Sequence, residues 1–197
     1  MLQIVKNYNG HQNAIRPNGK KVDWRIYKMK FDKRSFLREG RNAVYKGKEY
    51  CLSSKFPEHG MVRLLSYDKK DLENGFCCDK SKEYMEEHGF RCHKYVPKSE
   101  ITEAYKIEFT AKYKGKTYNH VDGYAGDDYE NKENIVTIHT IVSTYSEPDE
   151  YDYCKANGFI DGVHEGYSLI SMYKYVNIND PELEIIETRT ELDIDEL

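Results

Sequence analysis

The stretch YKIEFTAKYKGKTY, residues 105–118, decides the fold that we expect for this chain. Large or apolar side chains recur at every second position from Tyr105 to Tyr113, with mostly polar residues between them. A period of two predicts a strand with one buried face and one face in water. Lys114 and Gly115 follow as a turn, because glycine tolerates positive φ and lets the chain reverse. The stretch therefore predicts a β-hairpin.

A second hairpin of the same type is predicted earlier in the chain. Four blocks recur in the same order, which indicates an internal duplication, although the 18 tyrosines and many lysines could also produce chance matches. The matched blocks are YKMKF (27–31) with YKIEF (105–109), YKGKEY (45–50) with YKGKTY (113–118), EYMEEHGF (83–90) with DYCKANGF (152–159), and HKYV (93–96) with YKYV (173–176).

Each copy is predicted to contain three strands, a short helix and a final strand. The third strand is MVRLLSY in the first copy and NIVTIHTIVSTY in the second, and the latter, apolar on both faces, is expected in the middle of a sheet. Helix start and end signals stand at the matching places. They are Asp79 or Ser81 with Gly89 in the first copy, and Ser146, Glu147 and Pro148 with Gly158 in the second.

The fold class expected from these elements is α+β, mainly antiparallel β. Residues 1–96 form the first β-rich unit with a basic N-terminal segment, and residues 97–197 form the second, with acidic loops and an acidic tail. A small SH3-like barrel is one candidate for each unit, since glycine-marked turns join short strands.

Composition predicts a folded cytoplasmic protein without a membrane partner. The 197 residues are 39% hydrophobic and include 18 Tyr and 7 Phe, enough large side chains for a core. We see no apolar run of about 20 residues and no secretory signal at the start. The five cysteines lack the regular spacing of a disulfide framework, so free thiols are expected.

No enzyme signature, cofactor motif or metal site is predicted. His120 and Asp122 stand two apart, as many chance pairs do, and we find neither a nucleophile elbow nor a phosphate-binding loop. An active site assembled only by the fold stays open as an alternative. A zinc site is not expected, because adjacent cysteines do not readily face one ion. The possible zinc ligands in one short segment are Cys77, Cys78, His88, Cys92 and His93.

Charge is divided unevenly along the chain and suggests two kinds of partner. Residues 1–48 contain thirteen Lys and Arg against three acids, whereas the whole chain has a net charge of −4. The basic segment mixes cations with aromatic rings, as nucleic-acid-binding proteins do, and is the alternative candidate site. The negative charge of the rest of the chain would oppose a polyanion. The nucleic-acid candidates are Arg16, Lys20, Lys21, Trp24 and Arg25.

The leading candidate site is acidic and rich in tyrosine. It consists of a loop, DGYAGDDYENKEN, and a helix start, SEPDEYDY, where the second copy departs most from the first. Tyrosine offers a rigid contact face and clustered carboxylates attract a basic protein, so this surface is expected to bind one; a solvated acidic loop without a partner is the alternative. The predicted contact residues are Asp127, Asp128, Tyr129, Glu130, Glu147, Asp149, Glu150 and Tyr151.

In its acidic, tyrosine-rich character, its repeat and its YKGK hairpins, the chain resembles the immunity proteins that neutralise polymorphic toxins of bacteria. The resemblance implies a cytoplasmic inhibitor that binds one cognate toxin, often a nuclease, without turnover. It carries no functional residue over, because such families place their binding residues on variable surfaces. The basic N-terminal quarter departs from this character and argues against a nuclease as the partner.

Overall fold

The computed structural model describes the backbone of residues 3–6, 12–15, 21–27, 33–53, 60–123, 134–164, 168–195 and 197. Within these ranges it describes the side chains from residue 35 onward, except those of residues 87, 88, 163 and 164. The strands in chain order are β1 (Gln3–Lys6), β2 (Gln12–Ile15), β3 (Lys21–Tyr27), β4 (Gly40–Tyr45), β5 (Lys48–Leu52), β6 (Met61–Ser66), β7 (Cys92–Pro97), β8 (Ile101–Tyr113), β9 (Lys116–Tyr118), β10 (His120–Asp122), β11 (Ile135–Ser143), β12 (Ile160–His164), β13 (Leu169–Asn177) and β14 (Leu183–Glu191).

These strands form two antiparallel sheets. The larger sheet has the order β1-β2-β3-β14-β8-β4-β5-β6-β7, with β9 paired to β8, and the smaller has the order β10-β11-β13-β12. The described ranges also contain two short α-helices, α1 (Lys82–His88) and α2 (Pro148–Ala156), together with 3-10 turns at residues 33–38, 69–74 and 98–100. The predicted class, α+β with mainly antiparallel sheets, is confirmed, while the SH3-like interpretation stays a prediction.

Both predicted hairpins are confirmed. Lys46 and Gly47 have φ of 50° and 77°, and Lys114 and Gly115 have φ of 50° and 79°. Positive φ at both central residues is the mark of a type I′ turn, whose twist matches that of the flanking strands. The strands close with the same register, since Tyr45 pairs with Lys48 and Tyr113 pairs with Lys116.

β8 has the predicted alternation and lies near the middle of the larger sheet. Every second residue from Tyr105 to Tyr113 is buried, while the residues between them are exposed or half-buried. The buried face belongs to a core that includes Phe109, Val136, Ile138 and Met172. A second core lies among β4 to β7. β8 therefore contributes its inner face to the core that it shares with the smaller sheet.

α2 ends where the sequence predicted and begins one residue later, since Ser146 was the predicted N-cap. Pro148 occupies the first turn and Glu147 is the N-cap. At the other end, the Gly158 N–H donates to Lys155 O and the Phe159 N–H donates to Cys154 O, each at 3.0 Å. These two bonds, with Gly158 at φ 77°, form a Schellman ending. α1 is also capped as predicted, because the Ser81 side chain accepts from the Tyr84 N–H and Gly89 follows the helix.

The Schellman ending occurs a second time, at the 3-10 turn of residues 69–74. The Gly75 N–H donates to Leu72 O at 3.1 Å and the Phe76 N–H donates to Asp71 O at 3.2 Å, with Gly75 at φ 79°. The predicted match of 152–159 with 83–90 is therefore wrong, and its structural counterpart is 69–76. Both segments end in Asn-Gly-Phe, the tripeptide that carries the ending.

The contacts around the two endings agree in detail. Phe76 stacks on Tyr50 with ring centroids 4.9 Å apart, and Phe159 stacks on Tyr118 at 5.4 Å. The lysine of each matched KYV block donates to the carbonyl of the asparagine before the glycine; the pairs are Lys94 with Asn74 and Lys174 with Asn157. The HKYV and YKYV blocks thus occupy corresponding places, and α1 lies outside this shared set of contacts.

The larger sheet joins strands from both sides of the predicted boundary at residues 96 and 97. β8 pairs with β4, and β14 pairs with both β8 and β3. The end of the chain continues onto the core of β4 to β7, where Leu192, Ile194 and Leu197 pack. The division into units 1–96 and 97–197 stays a prediction, and any such units share one continuous sheet.

Candidate functional site

The leading candidate surface lies partly within the described residues. Asp127, Asp128, Tyr129 and Glu130 fall outside them. The other four predicted contact residues belong to the first turns of α2 or its N-cap. Glu147 and Asp149 are exposed, while Glu150 and Tyr151 are half-buried.

Glu150 and Tyr151 also make contacts within the protein. The Glu150 carboxylate accepts a hydrogen bond from Lys116 Nζ at 2.5 Å, and the Tyr151 hydroxyl donates to Asp161 Oδ2 at 3.3 Å. Tyr151 additionally packs against the core of the second half of the chain. Changes at these two positions therefore disturb local structure. Asp149 is exposed, and Glu147, also exposed, accepts one long hydrogen bond from the Ser143 N–H at 3.5 Å.

Large apolar side chains are exposed beside the start of α2. Tyr145 is 88% exposed in the turn between β11 and α2, and Ile141 of β11 is 56% exposed. Leu169, also exposed, opens the neighbouring strand opposite Ser143. β11 lies inside the smaller sheet, between β10 and β13, as its apolar residues on both faces predicted, although Ile141 on one of those faces is exposed. We call Ile141, Tyr145, Glu147, Asp149, Asp152 and Leu169 the acidic surface.

The alternative, basic candidate site lies mostly outside the described side chains. Arg16 and Lys20 are outside the described residues altogether, and only the backbone of Lys21, Trp24 and Arg25 is described, in β3. The register pairs Arg25 with Glu187 of β14. The basic strand therefore lies beside a strand of the acidic C-terminal segment, as expected if its charge offsets the acidic half of the chain.

A buried ionic network crosses the larger sheet next to that strand. Glu187 is fully buried and accepts from Arg38 at 3.1 and 3.2 Å and from Arg189 Nε at 2.7 Å. Glu49 accepts from Arg38 Nε at 2.5 Å and from the Tyr105 hydroxyl. Burial raises the pKa of Glu49, but these hydrogen bonds outweigh it and hold the pKa below its ordinary value. Each carboxylate is matched by arginine, so the network is structural.

A second buried carboxylate, Asp71, joins the first hairpin to the following turn. It accepts from Lys48 Nζ at 2.7 Å, from Ser66 Oγ at 2.5 Å and from the Tyr50 hydroxyl at 3.1 Å. Burial and the Asp71 charge raise the pKa of Tyr50 to about 12, so Tyr50 remains a donor at neutral pH. The hairpin lysine of the second copy, Lys116, instead pairs with the more exposed Glu150.

A thiol, an imidazole and a carboxylate line up at the edge of the larger sheet. Cys77 Sγ lies 3.6 Å from His93 Nε2, and His93 Nδ1 lies 3.3 Å from Asp79 Oδ2, which also accepts from Arg63 at 2.7 Å. This is the order of nucleophile, base and orienting acid. The adjoining cavity, about 780 Å³, is lined by Arg63, Asp79 and His93 but not by Cys77. The Cys77 thiol therefore lies beside a possible base, His93, but does not line the cavity in which a substrate could bind.

Two histidines and an aspartate form a cluster on the outer face of the smaller sheet. His120 and Asp122 of β10 meet His139 of β11, with His139 Nε2 2.9 Å from Asp122 Oδ2. Among the described side chains, these three form the group whose possible metal-ligating atoms all lie within 4.8 Å of one another. Sequence reasoning noticed His120 and Asp122 but missed His139, which stands 17 residues beyond Asp122. The strand alternation at His139 was the available signal, combined with pairing of these two strands.

The zinc ligands weighed from the sequence do not form such a group where they are described. Cys77 is exposed, Cys78 is half-buried and Cys92 is buried. Burial raises the pKa of the Cys92 thiol to about 11, which disfavours the thiolate that a metal requires.

The helices were also compared with the requirements of a transmembrane segment. Among the residues that the structure describes, no helix has the length and apolar composition of a membrane span.

Comparison with known proteins gives one result. Residues 37–156 match the family described as "Uncharacterised conserved protein UCP033725". The match begins before β4, includes both hairpins and ends with α2, so it covers more than half of the chain. No curated protein and no solved structure matches the chain. The chain therefore belongs to the family described as Uncharacterised conserved protein UCP033725.

Proposed function

We propose that this protein is a non-enzymatic binding protein that holds a basic partner protein through the acidic surface. The partner is a bacterial toxin that it inhibits, as the resemblance to immunity proteins implies. The observation that carries the proposal is the exposure of Tyr145, 88%, beside the exposed carboxylates of Glu147 and Asp149. We propose that residues 127–130, which lie outside the described residues, contact the same partner.

Exposed apolar side chains support a protein partner. Ile141, Tyr145 and Leu169 are all large. The strand register places Ile141 and Leu169 at the same end of the smaller sheet, and Tyr145 stands two residues after Ser143, the partner of Leu169. Single exposed apolar residues are ordinary on protein surfaces, but a group rimmed by charged residues is typical of an interaction site. Tyrosine is also enriched among the residues that dominate binding energy.

Charge supports a basic partner. Residues 134–197 contain fourteen Asp and Glu against three Lys and Arg. One of these acids, Glu187, is buried between arginines, but Glu147, Asp149 and Asp152 are exposed along one segment. A negative surface attracts a positive partner over a distance of about one Debye length, ~8–10 Å at physiological salt, and speeds association.

Co-expression tests the proposal in cells. The product of the open reading frame directly upstream of the gene would be induced in a laboratory bacterium with and without this chain. We expect growth arrest without the chain and rescue with it, and we expect the double variant Glu147→Lys/Asp149→Lys to lose rescue. The matched control, Glu100→Lys/Glu103→Lys, changes two exposed acids elsewhere and should rescue normally.

Two outcomes would contradict the proposal. One is growth arrest that neither the chain nor its variants relieve, and the other is equal rescue by both double variants. Binding of the purified chain to single- and double-stranded DNA at increasing salt provides the comparison with the alternative function. A steep fall of affinity with salt would instead favour nucleic-acid binding through Lys21 and Arg25, because phosphate contacts release counterions.

A further inference from the structure

A ligand cluster on the smaller sheet is assembled by strand pairing. His120 and Asp122 stand two apart in β10, so their side chains share one face of the strand. His139 of β11 pairs directly with His120, which places it on that same face. Val121 and Ile138 on the opposite face are fully buried, and their burial fixes which way the strands face. The core therefore presents the three polar side chains outward together.

The distances among the three ligand atoms suit one small metal ion. His139 Nε2 lies 2.9 Å and His120 Nε2 lies 3.7 Å from Asp122 Oδ2, and all three possible ligand atoms lie within 4.8 Å of one another. Ligands at ~2.0–2.1 Å from a tetrahedral zinc ion lie about 3.3 Å apart. Small rotations of these side chains, of which His120 is exposed and the other two are half-buried, therefore bring this group to that spacing.

The ligand types select the class of ion. Two imidazoles and one carboxylate suit zinc and its neighbours among the divalent transition metals, whereas magnesium and calcium prefer oxygen ligands alone. Three protein ligands leave a fourth position open, as in catalytic rather than structural zinc sites. His120 is 59% exposed, so solvent reaches the cluster from the His120 side.

Neighbouring charge also favours a cation at this place. Burial raises the pKa of Glu39, and Glu39 lies close enough to His120 and Asp122 for both groups to act on the same carboxyl group. Glu108 contributes a further negative charge, and Lys106 opposes it, with its Nζ 2.6 Å from Glu108 Oε1. Among the described side chains, the charges acting on Glu39 besides these ligands are one carboxylate, Glu108, and one ammonium group, Lys106, so Glu39 itself leaves one carboxylate in excess.

We propose that His120, Asp122 and His139 bind a divalent transition metal ion of the zinc class and leave a coordination position for water. The proposal is independent of the protein-binding function and concerns a different group of residues. It revises the expectation from the sequence that the chain has no metal site.

Calorimetric titration of the full chain with zinc chloride after chelator treatment tests the site. We expect one equivalent of zinc to bind. His139→Gln and Asp122→Asn should each weaken zinc binding at least about tenfold, because removing even a residue that only hydrogen-bonds to a metal ligand costs about tenfold or more in metal affinity. His93→Gln is the matched control, because it removes an imidazole from the thiol cluster and should leave zinc affinity unchanged.

The absorption spectrum of bound cobalt shows independently whether the metal lies at His120, Asp122 and His139 or at the thiol group of Cys77 and His93. Cobalt at His120, Asp122 and His139 has nitrogen and oxygen ligands, so the spectrum should lack the intense thiolate charge-transfer band. Far-ultraviolet circular dichroism would confirm that each variant is folded. Three results would overturn the proposal. The first is zinc affinity that is unchanged in both His139→Gln and Asp122→Asn, and the second is the absence of stoichiometric binding. The third is weaker zinc binding by His93→Gln combined with a thiolate band in the cobalt spectrum of the wild type.

Discussion

Replacing Asp71 with alanine should destabilise the protein through the groups that it leaves behind. The Asp71 side chain is fully buried and accepts from four neighbours, one of which, Asn74, is exposed and can turn to water. The Tyr50 hydroxyl and Ser66 Oγ belong to buried residues and lose this acceptor, at about 1–3 kcal/mol each. Lys48 is 45% exposed and can turn to water, so it adds little. The expected loss is about 4 kcal/mol of unfolding free energy.

Denaturant and thermal unfolding, followed by circular dichroism, measure this loss. For a chain of this size about 4 kcal/mol corresponds to a fall of about 8–16 °C in Tm. Glu150→Ala is the matched control, since Glu150 pairs with the equivalent hairpin lysine, Lys116, in a partly exposed position. A pair of that kind contributes about 1 kcal/mol or less. Equal losses in the two variants, or less than about 1 kcal/mol for Asp71→Ala, would refute the reasoning.

The pH dependence of the same variant has a defined sign. Burial raises the pKa of Asp71, but the Lys48 and Ser66 hydrogen bonds outweigh it and hold the pKa below the ordinary 3.8. A carboxyl with a lowered folded pKa stabilises the protein above its unfolded pKa and loses this contribution as pH falls through the folded pKa. The difference between wild type and Asp71→Ala should therefore be constant above about pH 5 and shrink below it.

Three further predictions concern the endings, the thiols and the buried network. Gly75→Ala and Gly158→Ala should each cost about 1–2 kcal/mol in denaturant unfolding, because both glycines have positive φ; clearly unequal costs would argue against equivalent endings. At pH 8, a disulfide reagent should modify the exposed Cys77 faster than Cys51, whose pKa burial raises to about 11; a Cys77→Ser variant that keeps the fast phase would contradict this. Glu187→Ala should cost about 3–5 kcal/mol in thermal unfolding because two arginines lose their buried partner; a cost below about 1 kcal/mol would show that Glu49 compensates.

The local elements were predictable because their signals are short in range. Alternation in residues 105–113, the glycine turns and the helix ends each depend on a few neighbouring residues, and the structure contains all of them, with the N-cap of α2 shifted by one residue from Ser146 to Glu147. The match of 83–90 failed for a physical reason. The acid and the tyrosine that 83–90 shares with 152–159 set no backbone geometry, whereas Asn-Gly-Phe sets the backbone ending and the stacked ring.

The long-range arrangement could not be read from the sequence. β14 pairs with β3 and β8, elements at great distances along the chain, and no local pattern specifies that order. The pairing of His139 with His120 has the same character, since it depends on which strands become neighbours. The alignment of Cys77 with His93 also arises from a single bridge between separate segments. Candidate sites made of adjacent residues could be found, whereas those made by strand pairing could not.

The association rate between the chain and the upstream gene product is the most direct test of the acidic surface. Stopped-flow mixing would compare wild type, Glu147→Lys/Asp149→Lys and Glu100→Lys/Glu103→Lys at low and at high salt. At low salt we expect the first double variant to associate about tenfold more slowly than wild type and the second to match it, with the difference lost at about 1 M salt. Equal rates for all three proteins at low salt would contradict the account.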